Sequence, residues 1–422
     1  MNKTLTNKIL ITLAFLFAYR ILAYVPVPGV NASVIKDFFD ANSNNALGMF
    51  NMFSGNAAER LSIISLGIMP YITASIIMEL LAATFPNLGK MKKDRDGMQK
   101  YMQIIRYATI IITIVQAIGV SMGLQSDHMI GKNGDAAVII DKNLFIAIAA
   151  ASMLTGTMLL MWIGEQITQR GIGNGISLII FAGIVSSIPR AIGNTVTSFN
   201  TNEINFFVVI GLVLIVLVTV GVVIYVEMGE RRVPVSYSRK VVMENQNKRI
   251  MNYIPIKVNL SGVIPPIFAS AILMFPSTIL QASTNPTIQK ITDFLNPSGY
   301  FFNFLTFLLV VFFAYFYASI AFNAKDISEN LKRQGGFIPG IRPGEGTAGF
   351  LNEVASRLTF GGAIYLGLIS TLPWVLVKFM GVPFYFGGTS VLIVVSVALD
   401  TMRRIEAQIY MNKYQTLSAV GL

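Results

Sequence analysis

The sequence predicts an all-α, polytopic membrane protein with ten transmembrane helices. Of its 422 residues, 54% are hydrophobic and only 13% are charged, and the mean hydropathy is +0.62. Soluble domains carry about 25% charged residues, so this composition lies outside their range. The chain also contains ten apolar runs, and its basic residues are concentrated in alternate connections between them. Together these observations exclude a soluble globular protein.

The apolar runs are long enough to cross, or nearly cross, a hydrocarbon core of roughly 30 Å. The first run follows Lys3 and Lys8, as in a signal peptide, but Arg20 interrupts it and no small-residue cleavage motif follows. We therefore expect a retained first span. The ten runs cover residues 9–25, 70–85, 104–123, 144–163, 173–192, 206–226, 262–280, 301–322, 360–377 and 387–402.

An even number of spans places both termini on one side of the membrane. If that side is the cytoplasm, 24 of the 32 Lys and Arg residues lie inside, seven lie outside, and Arg20 lies within a span. This bias follows the positive-inside rule, so we expect both termini to be cytoplasmic. The net charge of +11 then reflects topology and contact with anionic lipids, and no specific DNA partner is predicted.

Five spans precede residue 205 and five follow it, which suggests two pseudo-symmetric halves, residues 1–205 and 206–422, of inverted topology. Membrane proteins built in this way place their functional site between the halves. The second half carries two long basic connections, residues 227–261 and 323–358, on the inner side.

The second span is preceded by a break in the apolar pattern. Residues 57–85 are almost all apolar but are split at Gly67 and Pro70, which makes them too long for one span and too short for two. We expect Ala57–Met69 to form a half-helix with Glu59 and Arg60 at its outer end. Irregular backbone at membrane depth is tolerated where it faces a water-filled cavity, although a re-entrant turn without special function is the alternative.

Few polar residues fall within the spans, and each has a structural and a functional interpretation. Arg20 lies near the outer end of the first span, where a structural role is favoured. Glu79 lies deeper, in the second span, and is the best isolated functional candidate, although no partner for it is visible. Gln116 and Asn259 either line a cavity or bridge helices, with structure slightly favoured.

Catalytic and cofactor motifs are missing from the sequence. The chain has no cysteine, no HExxH, no GxSxG with partners and no phosphate loop, since the glycines of 171–175 follow a basic turn rather than a strand. We therefore predict no catalytic residue, no metal site and no cofactor.

Two further features allow a functional reading beside a structural one. Ile72 and Ile76 lie one helical turn apart on the second span, although isoleucines in membrane helices usually contact lipid or other helices. Residues 333–346 surround Arg342 with glycines and prolines that restrict the backbone. A single arginine displayed in this way suggests docking to an acidic or phosphate-bearing partner.

Several motifs closely resemble the bacterial SecY family, which forms the channel of the Sec protein-translocation machinery, and the resemblance extends along nearly the whole chain. The most specific stretches are AYVPVPG (23–29), LGIMPYITASI (66–76), RGIGNGIS (170–177), KVNLSGVIPPIFAS (257–270), FIPGIRPG (337–344) and FGGTS (386–390). Glu79 lies where some relatives carry Gln, and the resemblance assigns it no role.

The resemblance implies a central hourglass pore between the two halves. Its constriction is a ring of mostly isoleucines, and a plug from the broken segment closes it. A lateral gate lies between spans two–three and seven–eight, which makes Gln116 and Asn259 gate candidates. The matching ring positions are Ile72, Ile76, Ile180, Ile267 and Ile393, and the plug, about residues 57–66, includes Ala57, Glu59, Arg60, Leu61, Ser62, Ile63, Ile64 and Leu66.

The resemblance also implies partners and a location. Docking loops at about 229–257, with Arg239 and Lys240, and 325–357, with Arg342, would bind the motor ATPase SecA and the ribosome. The small membrane subunits SecE and SecG, signal peptides, nascent polypeptides and anionic lipids are the other expected partners. The expected location is the bacterial plasma membrane, and the expected function is the secretion and membrane insertion of proteins.

Two other classes of function serve as alternatives. A secondary transporter for a small solute predicts partnered ionisable residues at mid-span, and an intramembrane enzyme predicts a nucleophile with a base. Neither pattern is visible in the sequence, so a passive protein-conducting channel is the preferred interpretation.

Overall fold

The computed structural model is mostly helical and describes residues 3–41, 51, 54–125, 137–201, 205–237, 252–280, 299–380 and 388–419. The helices are α1 (Lys3–Leu22), α2 (Ala32–Ala41), α3 (Met69–Thr84), α4 (Pro86–Lys93), α5 (Arg95–Leu124), α6 (Lys142–Arg170), α7 (Gly175–Asn200), α8 (Phe206–Met228), α9 (Ile264–Leu280), α10 (Tyr300–Ala321), α11 (Ala324–Arg333), α12 (Glu345–Met380) and α13 (Gly388–Ala419).

Each of the ten apolar runs coincides with one of these helices. Within the described residues, seven helices are long and apolar enough to cross a membrane, or eight if the bent pair α3–α4 counts as one span. The short apolar part of α9, Ile264–Leu273, falls below that length. The ten-span count and the pseudo-symmetric halves therefore remain predictions, while a multi-span helical membrane protein is confirmed.

The helix boundaries follow from local sequence. Pro70 and Pro86 occupy the first turns of α3 and α4, where proline's fixed φ favours a helix start and its missing N–H is not needed. Asn174 caps α7 by accepting a hydrogen bond from the Ile176 N–H at 3.1 Å. Gly175 lets α7 approach α6 closely, because a Cβ there would lie 1.9 Å from the Gly164 carbonyl oxygen.

The half-helix predicted for Ala57–Met69 is wrong. The segment contains one 3₁₀ turn, Ala58–Arg60, which ends at Leu61 in the left-handed region with φ 42°. Turns continue to the start of α3 at Met69, and Gly67 also has a positive φ, 58°. A left-handed Leu breaks the helix, because its Cβ crowds the following carbonyl oxygen.

The connections at the basic end of the bundle (the end that bears residues 86–106, 227–261 and 323–358) contain a small sheet that the all-α prediction omits. Strand β1 (Glu230–Tyr237) pairs antiparallel with β2 (Asn252–Lys257) and with β3 (Gly336–Phe337), in the order β2–β1–β3. The sheet joins the two long basic connections and covers a core of Val233, Val235, Ile256, Ala324, Leu331, Ile338 and Leu351.

One helix, α9, packs against helices from both halves of the sequence. Helix α3 packs against α5, and α9 packs against both α3 and α5 on one side and α10 on the other. Helix α10 also packs along α12. The contact of α9 with α3 and α5, which we call the seam, is the place where two groups of helices meet.

Candidate functional site

The five isoleucines of the expected ring converge on one apolar cluster. Ile72 and Ile76 from α3, Ile180 from α7 and Ile393 from α13 have exposed fractions of 6% or less and belong to the same core. Ile267 from α9 is partly buried and packs against that core. Four helices that are distant in sequence therefore supply these isoleucines to one extended apolar cluster, which the spacing of Ile72 and Ile76 alone does not establish.

The segment of residues 57–66, the plug segment, is held to the loop after α1 by backbone pairing. The Val27 N–H donates to the Leu61 carbonyl oxygen, and the Ile63 N–H donates to the Val25 carbonyl oxygen, both at 2.9 Å. These bonds enclose an antiparallel bridge between Pro26 and Ser62. Such a short ladder supplies the hydrogen bonds that a helix would otherwise provide, so the non-helical backbone is satisfied inside the bundle.

The plug segment lies between two apolar cores. Its Ala57 and Ile64 are fully buried in the same cluster as the isoleucines. Its Leu61 and Leu66, each 2% exposed, belong to a second cluster with residues of α2, α5 and α6. The segment thus packs partly in the cluster that contains the isoleucines and partly in the second cluster.

One buried carboxylate in the plug segment is paired across the bundle. The Glu59 side chain is 3% exposed and forms an ion pair with Arg190 of α7. Asn51 also donates its side-chain N–H to the carboxylate at 3.1 Å, and Arg60 lies 3.8 Å away. A buried charge is stable only when it is paired and hydrogen-bonded in this way.

Arg20 ties the start of the plug segment to α1 and α7. Its guanidinium donates to the Gly55 carbonyl oxygen at 2.7 Å and to the Ser186 hydroxyl at 3.2 Å. Arg60 stacks over the Tyr24 ring with its guanidinium carbon 4.2 Å from the ring centroid. The position of Arg20 fits the structural role that the sequence favours for it.

A close contact with α6 also shapes the plug segment. A Cβ placed on Gly156 would lie 1.9 Å from the Ile63 carbonyl oxygen, far inside van der Waals distance. Glycine at 156 therefore allows the plug backbone to lie directly on α6.

The two predicted gate residues lie in different surroundings. Gln116 is 8% exposed on α5, whereas Asn259, 3% exposed, precedes α9. The Asn259 side-chain N–H donates to the Glu227 carboxylate at 2.6 Å, and its oxygen accepts from the Ser261 hydroxyl and the Gly262 N–H, both at 3.1 Å. Asn259 thus fixes the turn that leads into the seam.

Arg342 is exposed on a turn with a constrained backbone. Gly340 and Gly344 on either side have φ values of 82° and 96°, which glycine adopts without strain. The Arg342 carbonyl oxygen accepts from the Thr347 N–H at 3.1 Å and from its hydroxyl at 3.0 Å. The other predicted docking residues, Arg239 and Lys240, lie outside the described residues.

Glu79 has a partner that the sequence did not reveal. Lys92 of α4 donates from its ammonium to the Glu79 carboxylate at 3.2 Å, because the chain bends by 116° between α3 and α4. The pair joins residues 13 positions apart, which is too distant for a helix-spacing pattern to indicate.

Two polar cavities open at the basic end. One, of about 370 Å³, lies between α7, α8, α10 and α13 and is lined in part by Glu227, Asn259 and Tyr317. The other, of about 630 Å³, lies between α3, α5, α6 and α7 and contains the Arg106–Glu165 pair, whose closest oxygens lie 2.8 Å from the guanidinium. Asn174 and Arg404 line both cavities.

Within the ranges that the structure describes, no three His, Cys, Asp or Glu residues come together as metal ligands.

Sequence reasoning missed Arg190 and the β-strands. The sequence analysis counts Arg190 only among the seven outer basic residues, because its ion pair with Glu59 joins positions 131 residues apart, which no local pattern indicates. Strand β1 has alternating burial at Val233 and Val235, a period-two pattern that was available in the sequence.

A multi-helix membrane bundle with a buried isoleucine cluster, an adjoining irregular segment and polar cavities at one end has the features expected of a channel-type membrane protein. The family model SecY matches residues 62–402. A protein translocase subunit SecY of Helicobacter pylori is 71% identical over all 422 residues and the full length of both chains, and that of Escherichia coli K12 is 41% identical over 98% of this chain and 93% of the relative. This chain belongs to the SecY family.

Solved structures agree on the fold. A protein-conducting channel matches with a TM-score of 0.66 and 19% identity, covering 96% of this chain and 93% of that one. Sec61 in the canine ribosome–channel complex from the endoplasmic reticulum matches with a TM-score of 0.63 and 18% identity, at the same coverage. At these identities the likeness concerns the fold.

Proposed function

We propose that this chain forms the polypeptide-conducting pore of a bacterial protein translocase, with the isoleucine cluster as its constriction and residues 57–66 as its plug. The general function follows from family membership: the chain is a protein-conducting translocation channel, a passive pore rather than an enzyme. A solute transporter is not favoured, because the relatives at 71% and 41% identity are translocase subunits along nearly their whole length.

The observation that carries the proposal is the convergence of Ile72, Ile76, Ile180, Ile267 and Ile393 beside the plug segment. A pore for polypeptides of any sequence has to avoid specific polar partners. Aliphatic side chains form a constriction that excludes water yet yields to an arriving chain, whereas charged rings would attract ions. The seal matters because each leaked charge dissipates about 2.3 kcal/mol per 100 mV.

The buried contacts of the plug segment support its assignment as the closed-state seal. In a similar solved SecY structure, with a TM-score of 0.68 and 20% identity, the plug domain stabilises the closed state of the channel and maintains a membrane seal. In this chain the backbone bridge at Ser62, the Glu59–Arg190 pair and the contact of Ile64 with the cluster would hold the segment in place.

The seam is the proposed lateral gate. There α9 contacts α3 and α5 across a short apolar surface, and the turn fixed by Asn259 sets the start of α9. Gln116 of α5 is the second gate candidate. A signal peptide would separate these helices and bring its apolar segment into contact with lipid.

The proposal also includes the binding partners of the chain and its location and topology in the membrane. A passive pore draws energy from a partner, so the sheet β2–β1–β3 and the turn around Arg342 would bind SecA and the ribosome. Sec61, a channel of similar fold, occurs in a complex with a ribosome. SecE, SecG and anionic lipids would contact the exposed apolar helices. We place the chain in the plasma membrane with ten spans in two halves, 1–205 and 206–422, and with cytoplasmic termini.

Crosslinking to a translocating chain tests the proposal. The protein has no native cysteine, so a single Ile267→Cys gives one reactive site. We expect disulfide formation with a secretory precursor that is stalled by a folded C-terminal domain and carries one cysteine at mid-chain. Leu214→Cys, at an exposed position of α8, is the control. Crosslinks at the control but at none of the five isoleucine positions would refute the pore assignment.

A further inference from the structure

The carboxylate of Glu79 lies on the same face of α3 as the isoleucine constriction. Positions 72, 76 and 79 follow the helical i, i+4, i+7 spacing, so Glu79 is one turn closer to the basic end than Ile76. Its side chain is 20% exposed, whereas Ile76 is 1% exposed. A partly open acid therefore stands at the inner entrance to the constriction.

Tyrosines on both sides of the seam lie within electrostatic range of this acid. Glu79 interacts electrostatically with the hydroxyls of Tyr71 on α3, Tyr101 on α5 and Tyr317 on α10. The Tyr101 hydroxyl is buried and has no hydrogen-bond partner within the described part of the chain. Tyr317 also lines the smaller polar cavity. Glu79 thus acts electrostatically on both of the helix groups that the proposed gate separates.

The partner of Glu79 is easier to exchange than those of the neighbouring acids. Glu165 is held by a bidentate arginine, with three contacts between 2.8 and 3.1 Å, and Glu227 is held by the buried Asn259 at 2.6 Å. Glu79 has one contact at 3.2 Å, from Lys92, whose side chain is 34% exposed. A lysine ammonium is a point charge on a flexible stem and is less fixed in geometry than a guanidinium fork.

We propose that Glu79 is a receptor for the positively charged N-terminal region of a signal peptide, whose Lys or Arg displaces Lys92. The inference rests on the proposed function. Signal peptides place a cationic region directly before an apolar segment of 7–15 residues. If the apolar segment enters the seam, the cationic region is left at the basic end, at the level of Glu79. Lys92 occupies the site in the resting channel.

The exchange explains why an acid is present in such basic surroundings. Lys90 and Lys92 on α4 would otherwise repel an incoming cationic region. One ammonium replaces another at Glu79, so the carboxylate stays paired throughout. Release of Lys92 also frees α4 from its tie to α3, which links the arrival of a signal peptide to the helix at the edge of the seam.

Paired precursors test the inference in the complete translocase, reconstituted in proteoliposomes. The two precursors differ only in their N-terminal region, which carries three Lys or three Gln. We expect Glu79→Gln to slow translocation of the Lys precursor by about threefold to fivefold at limiting concentration, a typical ion-pair effect, and to leave the Gln precursor unchanged. Lys92→Gln should leave the Lys precursor at least as fast as in the wild type. Glu406→Gln, at an exposed position of α13 outside both proposed docking loops, is the matched control.

Three outcomes would overturn the inference. Equal slowing of both precursors by Glu79→Gln would make Glu79 structural. If Lys92→Gln slows translocation of the Lys precursor as much as Glu79→Gln does, the Glu79–Lys92 ion pair has a structural role and is not exchanged. Failure of both precursors in the wild type would remove the proposed function itself, so the two failures are distinguishable.

A second measurement uses variants that retain Glu79. Ala83 lies one turn from Glu79 on the same face, and Leu81 lies on another face of α3. A cysteine in the cationic region of a stalled precursor should form a disulfide with Ala83→Cys in preference to Leu81→Cys. Equal or reversed yields would contradict the assigned position.

Discussion

The Glu59 carboxylate in the plug segment is paired with the Arg190 guanidinium of α7, and the two side chains are very differently exposed, 3% and 32%. The Glu59 carboxylate is therefore buried in the protein interior, whereas the Arg190 guanidinium remains partly exposed to water. This asymmetry determines which side of the pair is more sensitive to substitution.

We expect Arg190→Gln to loosen the plug more than Glu59→Gln. In Arg190→Gln the buried Glu59 carboxylate keeps only the hydrogen bond from Asn51 and the more distant charge of Arg60. This destabilises the packed plug segment by about 1–3 kcal/mol. Removing the charge of Glu59 leaves an arginine that water can solvate. The resting ion conductance in planar bilayers should rise in the order wild type, Glu59→Gln, Arg190→Gln.

The double variant provides the control for this prediction. Glu59→Gln with Arg190→Gln removes both charges and should conduct less than Arg190→Gln alone, because no unpaired buried charge remains. Equal conductance in the single variants, or additive effects in the double variant, would contradict a role for the pair in closure.

A second prediction concerns the contact between α6 and the plug backbone. Gly156→Ala places a methyl group 1.9 Å from the Ile63 carbonyl oxygen, so the plug has to move. Overpacking of this kind costs about 1–3 kcal/mol, and part of that cost should appear as a higher resting conductance. Gly193→Ala on α7, where a Cβ meets nothing within 4 Å, is the matched control and should conduct as the wild type does. An unchanged Gly156→Ala channel would show that the plug contact does not control closure.

The sequence was sufficient to predict the long apolar helices, since apolar runs report burial in lipid or protein directly, but it did not predict the short helices α2, α4 and α11. Every expected run lies on a helix, and the segment before α3 was recognised as irregular from Gly67 and Pro70. The mean hydropathy of a run is a local property, which is why it can be read without knowing the fold.

The plug conformation could not be predicted in the same way. A helix for Ala57–Met69 was reasonable by composition, but Leu61 is left-handed because residues 25–27 supply hydrogen bonds to Leu61 and Ile63 from a distant part of the chain. The partners of Glu59 and Glu79 are likewise tertiary, 131 and 13 residues away. Pairings of this kind depend on how helices pack, and no local pattern encodes them.

A third prediction concerns the docking turn. Arg342→Glu reverses an exposed charge without altering Gly340, Gly344 or the hydrogen bonds to its carbonyl oxygen, so membrane insertion and abundance should stay normal. We expect ATP-driven translocation to be strongly reduced, because the variant repels an acidic partner surface. Lys100→Glu, exposed on α5 and outside the proposed docking loops, is the control for a general charge effect. Wild-type secretion by Arg342→Glu would remove this residue from the docking surface.

The last prediction tests the turn that precedes α9. Asn259→Asp keeps the oxygen that accepts from Ser261 and Gly262 but replaces the N–H donor to Glu227 with a like charge at 2.6 Å. We expect a melting temperature several degrees lower than that of the wild type in detergent, and easier opening of the seam, seen as faster translocation of precursors with weakened signal peptides. Adding Glu227→Gln restores a hydrogen bond at this contact, because the new amide N–H at position 227 can donate to the carboxylate at position 259. The double variant should therefore recover most of the lost stability. A double variant as unstable as Asn259→Asp would mean that the 259–227 contact does not set the turn, and that the stability of this region comes from the packing of α9 alone.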